Sequence, residues 1–289
     1  MLRRFSFLLS FLLAAEAMAG CRGTSQPNVQ PVPYIEEPEP EEEPLPKTET
    51  VERTIVTYNV AALGHGGDKT ERIAAFLASL DADYVGLNEL DSCNSRHNVY
   101  QLKVLADRLG GWNCHFASAF DFAGGGYGNG AMTPYPILSE RTIPLAKGSG
   151  HEPRSIALIE TEDIVFGALH LDFGPPGEPS YDQAVELNDW FNEHYAGYGK
   201  PVILVGDFNT DPGTPTQNEM ERYWTRLSDP VLSWPTGTAT MCLDYVFCLK
   251  SAVPVKAVET ARPQSDDDLD ELSDHYPVRV KIRYERDIK

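Results

Sequence analysis

Cationic side chains are scarce in this chain. Its 24 Lys and Arg stand against 43 Asp and Glu, for a formal net charge of −19 at pH 7. Residues 1–50 hold four basic and eight acidic side chains, so residues 51–289 carry −15. Nonspecific gripping of nucleic acid relies on many Lys and Arg contacts to phosphate, and so acidic a domain is poorly suited to it. Cysteine is sparse too: there are five, with no CxxC pair and no Cys/His cluster, so the zinc-site pattern is missing. Cys242 and Cys248 lie in one apparent strand, about 20 Å apart at ~3.3 Å per residue, too far to bridge. Cys93 and Cys114 flank a predicted helix, and their pairing stays open. After about residue 50 there is no second linker and no internal repeat, which leaves one mixed α/β domain over 51–289.

The first 20 residues read as an address. Arg3 and Arg4 precede the apolar stretch Phe5–Ala15, too short to cross a bilayer and of signal-peptide length. Met18-Ala19-Gly20-Cys21 resembles a bacterial lipobox, in which Cys21 is lipidated and inserts in a bilayer. This reading predicts an exported cell-envelope lipoprotein. Cleavage after Ala17-Met18-Ala19, giving a soluble secreted protein, is the alternative. Residues 21–50 are rich in Pro, Glu, Ser and Gln without apolar periodicity, the composition of an extended tether.

What the domain does have is a series of apolar strands that run out into polar residues. Pro201–Asp211 reads P-V-I-L-V-G-D-F-N-T-D, a strand buried on both sides whose Gly206 lets another backbone pass close. Alternation places Ile203, Val205, Asp207 and Asn209 on one face. By the same rule Ile55, Thr57 and Asn59 share a face, as do Val85, Leu87 and Glu89, and Phe166, Ala168, His170 and Asp172. Asp244 sits inside the apolar run Cys242–Cys248, where an unpaired carboxylate is costly. Ser273-Asp274-His275 precedes the last strand, Val278–Ile282. Helices are predicted from capping boxes at Asp68/Glu71, Asn98/Gln101 and Ser180/Gln183, and from Thr214-Pro215. Gly124–Gly130 reads as a glycine-rich loop, and Ser155–Glu160 with Ile164–Asp172 as a hairpin. Singly, each polar strand end has an ordinary capping explanation. Together they supply the hard oxygen donors, imidazoles and amides that metal-assisted phosphoester hydrolysis uses.

In this order the motifs resemble the endonuclease/exonuclease/phosphatase family over about residues 53–284. Thr57-Tyr58-Asn59-Val60, Leu87-Asn88-Glu89-Leu90, Tyr127-Gly128-Asn129-Gly130, Leu169-His170-Leu171-Asp172, Gly206-Asp207-Phe208-Asn209, Leu243-Asp244-Tyr245-Val246 and Ser273-Asp274-His275 carry the resemblance. Glu152-Pro153-Arg154 adds a Glu-x-Arg element. Asn88 stands where Gln is usual and is expected to lose an orienting hydrogen bond; Leu169 replaces a Thr. Asp91 to Arg96 and Gln101 resemble a bacterial subgroup.

The resemblance implies a four-layer α/β/β/α sandwich, two packed mixed β-sheets flanked by helices, with a cleft at one edge. It also implies that Glu89, Asn59 and Asp274 hold Mg2+, with Mn2+ a possible substitute. His275, oriented by Asp244, activates or positions the attacking water, with Asp207 the rival. His170 and Asn209 contact phosphate, His170 protonating the leaving group, and Asn129 and Arg154 are further phosphate or supporting contacts. The expected protein is a monomeric, exported hydrolase of a small or lipid-derived phosphoester. A scavenging nuclease is the alternative, and a surface binding protein that has lost the chemistry is a weaker one.

Overall fold

A computed structural model describes residues 47–64, 69–145, 152–173, 179–265 and 268–288. The segment expected to be a signal peptide, Cys21, most of the expected tether and Asp68 lie outside the described residues. Among the described residues, twelve strands and five α-helices, with a 3-10 turn at Ala61–Leu63, follow in order: β1 (Thr48–Asn59), α1 (Thr70–Ala78), β2 (Tyr84–Ser92), α2 (Gln101–Arg108), β3 (Asn113–Phe122), β4 (Gly125–Thr133), β5 (Ser139–Leu145), β6 (Arg154–Glu160), β7 (Val165–His170), α3 (Pro179–Tyr195), β8 (Val202–Asp207), α4 (Pro215–Tyr223), β9 (Trp224–Arg226), β10 (Asp244–Leu249), β11 (Lys256–Ala261), α5 (Leu269–Leu272) and β12 (Val278–Asp287).

They build two six-stranded mixed sheets, ordered β11-β12-β1-β2-β4-β3 and β5-β6-β7-β8-β10-β9. Side-chain alternation divides the apolar residues into three cores. Ile55, Tyr84, Phe166, Ala168, Ile203, Val205, Val246 and Val280 pack between the sheets. Val56, Tyr58, Val85 and Leu87 face outward and meet Ile73, Phe76 and Leu77 of α1 and Leu102 and Leu105 of α2. On the other outer face Leu204, Tyr245 and Phe247 meet Leu187 and Phe191 of α3 and Met220 of α4. The layers are therefore helix, sheet, sheet, helix, as the resemblance implied.

Several local expectations are corrected. β1 begins at Thr48, inside the stretch assigned to the tether. The glycine-rich segment is a strand, β4, inserted between β2 and β3. A Cβ at Gly128 would strike the Ala117 carbonyl, and one at Gly130 would meet Leu102 Cδ1 at 2.5 Å, so glycine here serves close packing rather than a turn. Two helix caps were also misread. Gln101 accepts from the Asp91 amide and donates to the Ala62 carbonyl. Gln183 accepts from the Asp172 amide. These glutamines tie strand ends to helices. Thr214 does cap α4, its hydroxyl accepting from Gln217 N. Cys93, Cys114, Cys242 and Cys248 are all free thiols.

Gly206, at φ 148° with the Leu169 carbonyl where a Cβ would stand, fits the close approach that the sequence suggested. At Gly86 the sheets pack closely, since a Cβ there would overlap Val205 Cγ2 across the interface. Gly86→Ala is expected to cost about 1–3 kcal/mol by overpacking and to lower the melting midpoint by several degrees. In a Val205→Ala background the same change should cost much less. Equal losses in both backgrounds, by thermal or urea denaturation, would contradict this packing.

Candidate active site

Strand register assembles the site. In the second sheet β7 and β8 run parallel with His170 opposite Asp207, and β8 and β10 run antiparallel with Asp207 opposite Asp244. His170, Asp207 and Asp244 thus stand in one row at one end of three adjacent strands. In the first sheet β1 and β2 run parallel with Asn59 opposite Asn88. Glu89 follows by a different route. A bulge between Leu87 and Leu90 puts both leucines in the helix-facing core, and Glu89, with φ 58°, is turned toward the cleft. The shared face expected for Val85, Leu87 and Glu89 is therefore broken by this bulge. A left-handed conformation at a non-glycine residue is strained, and such strain gathers at functional sites.

Two asparagines join the sheets. Asn88 Nδ2 donates to Asn129 Oδ1 (3.0 Å) and to the Leu169 carbonyl (2.5 Å), while its Oδ1 accepts from the Asp207 amide at 3.1 Å. The hydrogen bond expected to be lost with Gln is instead replaced by three. Asn59 Nδ2 donates to Glu89 Oε1 (3.0 Å) and Asp207 Oδ2 (3.1 Å), and its Oδ1 accepts from the Ala61 amide. With that oxygen engaged, the amide turns its NH2 toward the carboxylates. In this arrangement Asn59 steadies Glu89 and Asp207 through its NH2 group.

Asp207, 1 % exposed, lies between two imidazoles: its Oδ2 is 3.4 Å from His170 Nε2 and 3.5 Å from His275 Nε2. Its Oδ1 accepts from the Asn209 amide. His275 Nδ1 in turn meets Asp244 Oδ2 at 2.9 Å. Burial alone would depress His275, but Asp244 and Asp207 outweigh it and raise the imidazole to about 10. His170 goes the other way, held well below its usual value by burial, Arg154 and His275. Arg154 Nη1 lies 3.2 Å from His170 Nδ1 and Asn209 Nδ2 lies 2.9 Å from its Nε2, so both ring nitrogens face donor groups, an environment that further disfavours the imidazolium. Burial raises Asp207 to about 7, against the pull of His275.

The residues Glu89, His170, Asp207, Asn209, Asp274 and His275 border one open cleft of about 480 Å3, and Arg154 lines it too. Asn209, at φ 52°, has left the strand face it was assigned to but still reaches 2.9 Å from His170 Nε2. Asp244 stands behind His275. Asn129 is buried behind the wall, accepting from Asn88 and donating to the Ser155 carbonyl, so it supports the site and does not face a phosphate. Arg154 is clamped by Glu152 (3.2 Å) and Asp172 (3.5 Å).

Residues missed by sequence reasoning are Phe173, Trp234 and Met241, which line the same cleft beside Tyr127. Trp234 carried no motif, and its only announcement was an aromatic next to proline in a loop.

Ligand-type atoms of Asp207, Asp244 and His275 all lie within 4.8 Å of one another, an arrangement able to hold a metal ion. Asp244 Oδ1 is buried without a hydrogen-bond partner, and Glu89 and Asp274 add carboxylates at the mouth. This excess of hard oxygen over cationic charge suits a divalent ion of the Mg2+ type.

The model of the Endonuclease/Exonuclease/phosphatase family matches residues 56–275. No curated protein matches the chain. Among solved structures, a family protein from Bacteroides thetaiotaomicron is 18% identical with a TM-score of 0.65, covering 82% of this chain and 99% of its own. A mannosyl-6-phosphatase from Bacteroides thetaiotaomicron VPI-5482 is 20% identical with a TM-score of 0.61, covering 80% of this chain and 99% of its own. A family protein from Beutenbergia cavernae DSM 12333 is 19% identical with a TM-score of 0.63, covering 81% and 72%. The sandwich, the cleft at its strand ends and the matched span agree, and the chain belongs to the endonuclease/exonuclease/phosphatase family.

Proposed function

We propose that this chain is a divalent-metal-dependent phosphoric ester hydrolase that acts on a small or lipid-derived phosphoester by in-line attack of water. The observation that carries the reading is Asp207, a buried carboxylate between an imidazole driven to hold its proton and one held neutral. Groups pushed apart in this way are the pattern of acid and base roles in one site. Asp207, poised near neutrality, takes the proton of the attacking water. His275, kept positive by Asp244, lies against the charge that builds on the phosphoryl group. His170, held neutral, and Asn209, which is fixed against it, border the place of the phosphoryl oxygens; an imidazole this depressed is a poor proton donor to a leaving group.

Glu89 and Asp274 would hold Mg2+, or Mn2+ in its place, with Asn59 steadying Glu89. The ion, when bound, offsets negative charge on the phosphoryl oxygens. A nuclease is the weaker reading. Among the described residues that border the cleft Arg154 is the sole Lys or Arg, and it is committed to Glu152, Asp172 and His170. The leader and Met18-Ala19-Gly20-Cys21 support export with a lipid anchor on Cys21 in a bacterial envelope. Mass spectrometry of the mature N-terminus tests that assignment.

Two outcomes test the hydrolase itself. EDTA should abolish turnover of bis-p-nitrophenyl phosphate or p-nitrophenyl phosphate, and Mg2+ should restore it. Saturating Mg2+ should also raise the melting temperature of the wild type by several degrees, as binding to the folded state requires. Glu89→Gln should lose most of that shift; a full shift in the variant would remove Glu89 from the metal site.

The second outcome is the pH profile of kcat/KM. Activity should fall on acidification below about 7, as Asp207 takes up its proton, and again above about 10, as His275 loses its own. Asp244→Asn removes the charge that raises His275, so the alkaline limb should move by more than one pH unit toward neutrality. Asp207→Asn should lower kcat by roughly 10²–10⁴-fold. An unmoved alkaline limb in Asp244→Asn would reject the role given to His275.

A further inference from the structure

The cleft has a second wall that the chemistry above does not use. Phe173, Trp234, Met241, Leu243 and Tyr127 border it, facing space shared with the polar groups. Phe173 is 55% exposed, so part of this wall is open to a ligand in the cleft.

Trp234 is the best-held member of this wall. Its backbone pairs with Met241 in both directions, Trp234 N to Met241 O at 3.2 Å and Met241 N to Trp234 O at 2.9 Å. The hairpin so formed is fastened to the segment that carries Asp274 and His275. Thr236 N donates to the Asp274 carbonyl, Thr236 Oγ1 to the Ser273 carbonyl, and Tyr276 N to the Ser233 carbonyl. The indole Nε1 donates to Asp274 Oδ2 at 3.3 Å. The ring is therefore pinned at its polar edge and only half buried, although Trp224 shows that this fold can bury an indole completely. A rigid, edge-anchored aromatic beside reacting groups pre-organises a flat surface at little entropic cost.

The electrostatics narrow what that surface can take. Carboxylates Glu89, Glu152, Asp207 and Asp274 border the cleft, and its one described Arg is already paired. A group carrying a further negative charge would meet no free cation among the described residues. At about 480 Å3 the cleft has the size of a single small-molecule site.

Resting on the hydrolase reading, we propose that Trp234 is a specificity-determining residue that stacks on the alcohol part of the substrate. The substrate class is then a single-phosphate ester of an uncharged, ring-bearing alcohol, such as a sugar. The phosphate lies at Asp207, His170 and His275, while the face of the ring lies on the indole, with Phe173 and Tyr127 beside it. Sugar rings present C–H groups to the face of an aromatic, so the contact needs no charge on the alcohol.

The test compares glucose 6-phosphate with glycerol 3-phosphate, and the methyl diesters of both, using the full chain with Mg2+. These pairs share a primary ester linkage and differ in the ring. The wild type should favour the ring esters through KM. Trp234→Ala should cut the ring-over-glycerol ratio of kcat/KM by about five- to tenfold, beyond any loss that both pairs share through the Asp274 contact. Trp234→Phe keeps a ring and loses only the N–H, so it should retain most of the preference. Equal losses on ring and glycerol esters, or a Trp234→Phe that matches Trp234→Ala, would mean that the indole acts only by holding Asp274, and would overturn the proposal. Hydrolysis by the wild type without preference between the pairs overturns it as well and leaves the hydrolase reading standing. If none of the four is turned over, calorimetric binding decides: a ring preference that depends on Trp234 sustains the subsite and no preference overturns it, while the p-nitrophenyl phosphate assays judge the hydrolase reading separately.

Discussion

Everything at this site depends on where the Asp207 carboxylate is fixed. It is buried at the seam of two sheets, its backbone amide held by Asn88 and one oxygen by Asn59, both from the opposite sheet. A buried carboxylate is expensive unless it is paired and hydrogen-bonded, so those contacts also bear on the stability of the sandwich. The arrangement makes sheet packing and site geometry one problem. Any change that slides one sheet over the other displaces Asp207 relative to Glu89 and to both imidazoles. The missing Cβ at Gly86, directly across from Val205, belongs to the same constraint, because it sets how closely the seam can shut.

Much of this was legible in the sequence because β-structure has a period of two. Once Ile203 and Val205 are read as core, Asp207 must emerge on their side, and the same logic carried Asn59 and His170 to the correct face. Asp244 was legible as a carboxylate that an apolar strand could not leave unpaired, and its partner His275 followed from the resemblance. The alternation failed at Glu89, where one extra residue in the bulge changes which side faces inward. Nothing local in Leu87-Asn88-Glu89-Leu90 announces a bulge. It is imposed by the pairing of β2 with β4, a long-range fact.

Other misses share that origin. Gln101 and Gln183 look like capping residues because the signature of a capping box is only two residue types at a spacing. In the folded chain their amides are drawn to strand ends that lie far off in space. The glycines of β4 look like a loop because glycine weakens an isolated strand, and only the neighbouring Ala117 carbonyl and Leu102 side chain explain why nothing larger fits. Trp234 was invisible for the opposite reason. Its place depends on a loop clasped to a distant segment, and no periodic pattern reports such a contact. The orientation of Asn59 likewise rests on one backbone amide, that of Ala61, and residue type alone gives no clue to which end of a carboxamide faces a ligand.

The course of β1 has a consequence for how the domain can be handled. The strand starts at Thr48, paired with Asp287 near the other end of the described chain, where Ile288 N also reaches the Lys47 carbonyl. It finishes at Asn59 beside Asp207. Eleven steps of about 3.3 Å separate its two ends, so both ends of the described domain sit up to roughly 36 Å from the cleft. A bead or a fused partner attached at that corner is held like a handle, with the cleft at the far end of the strand.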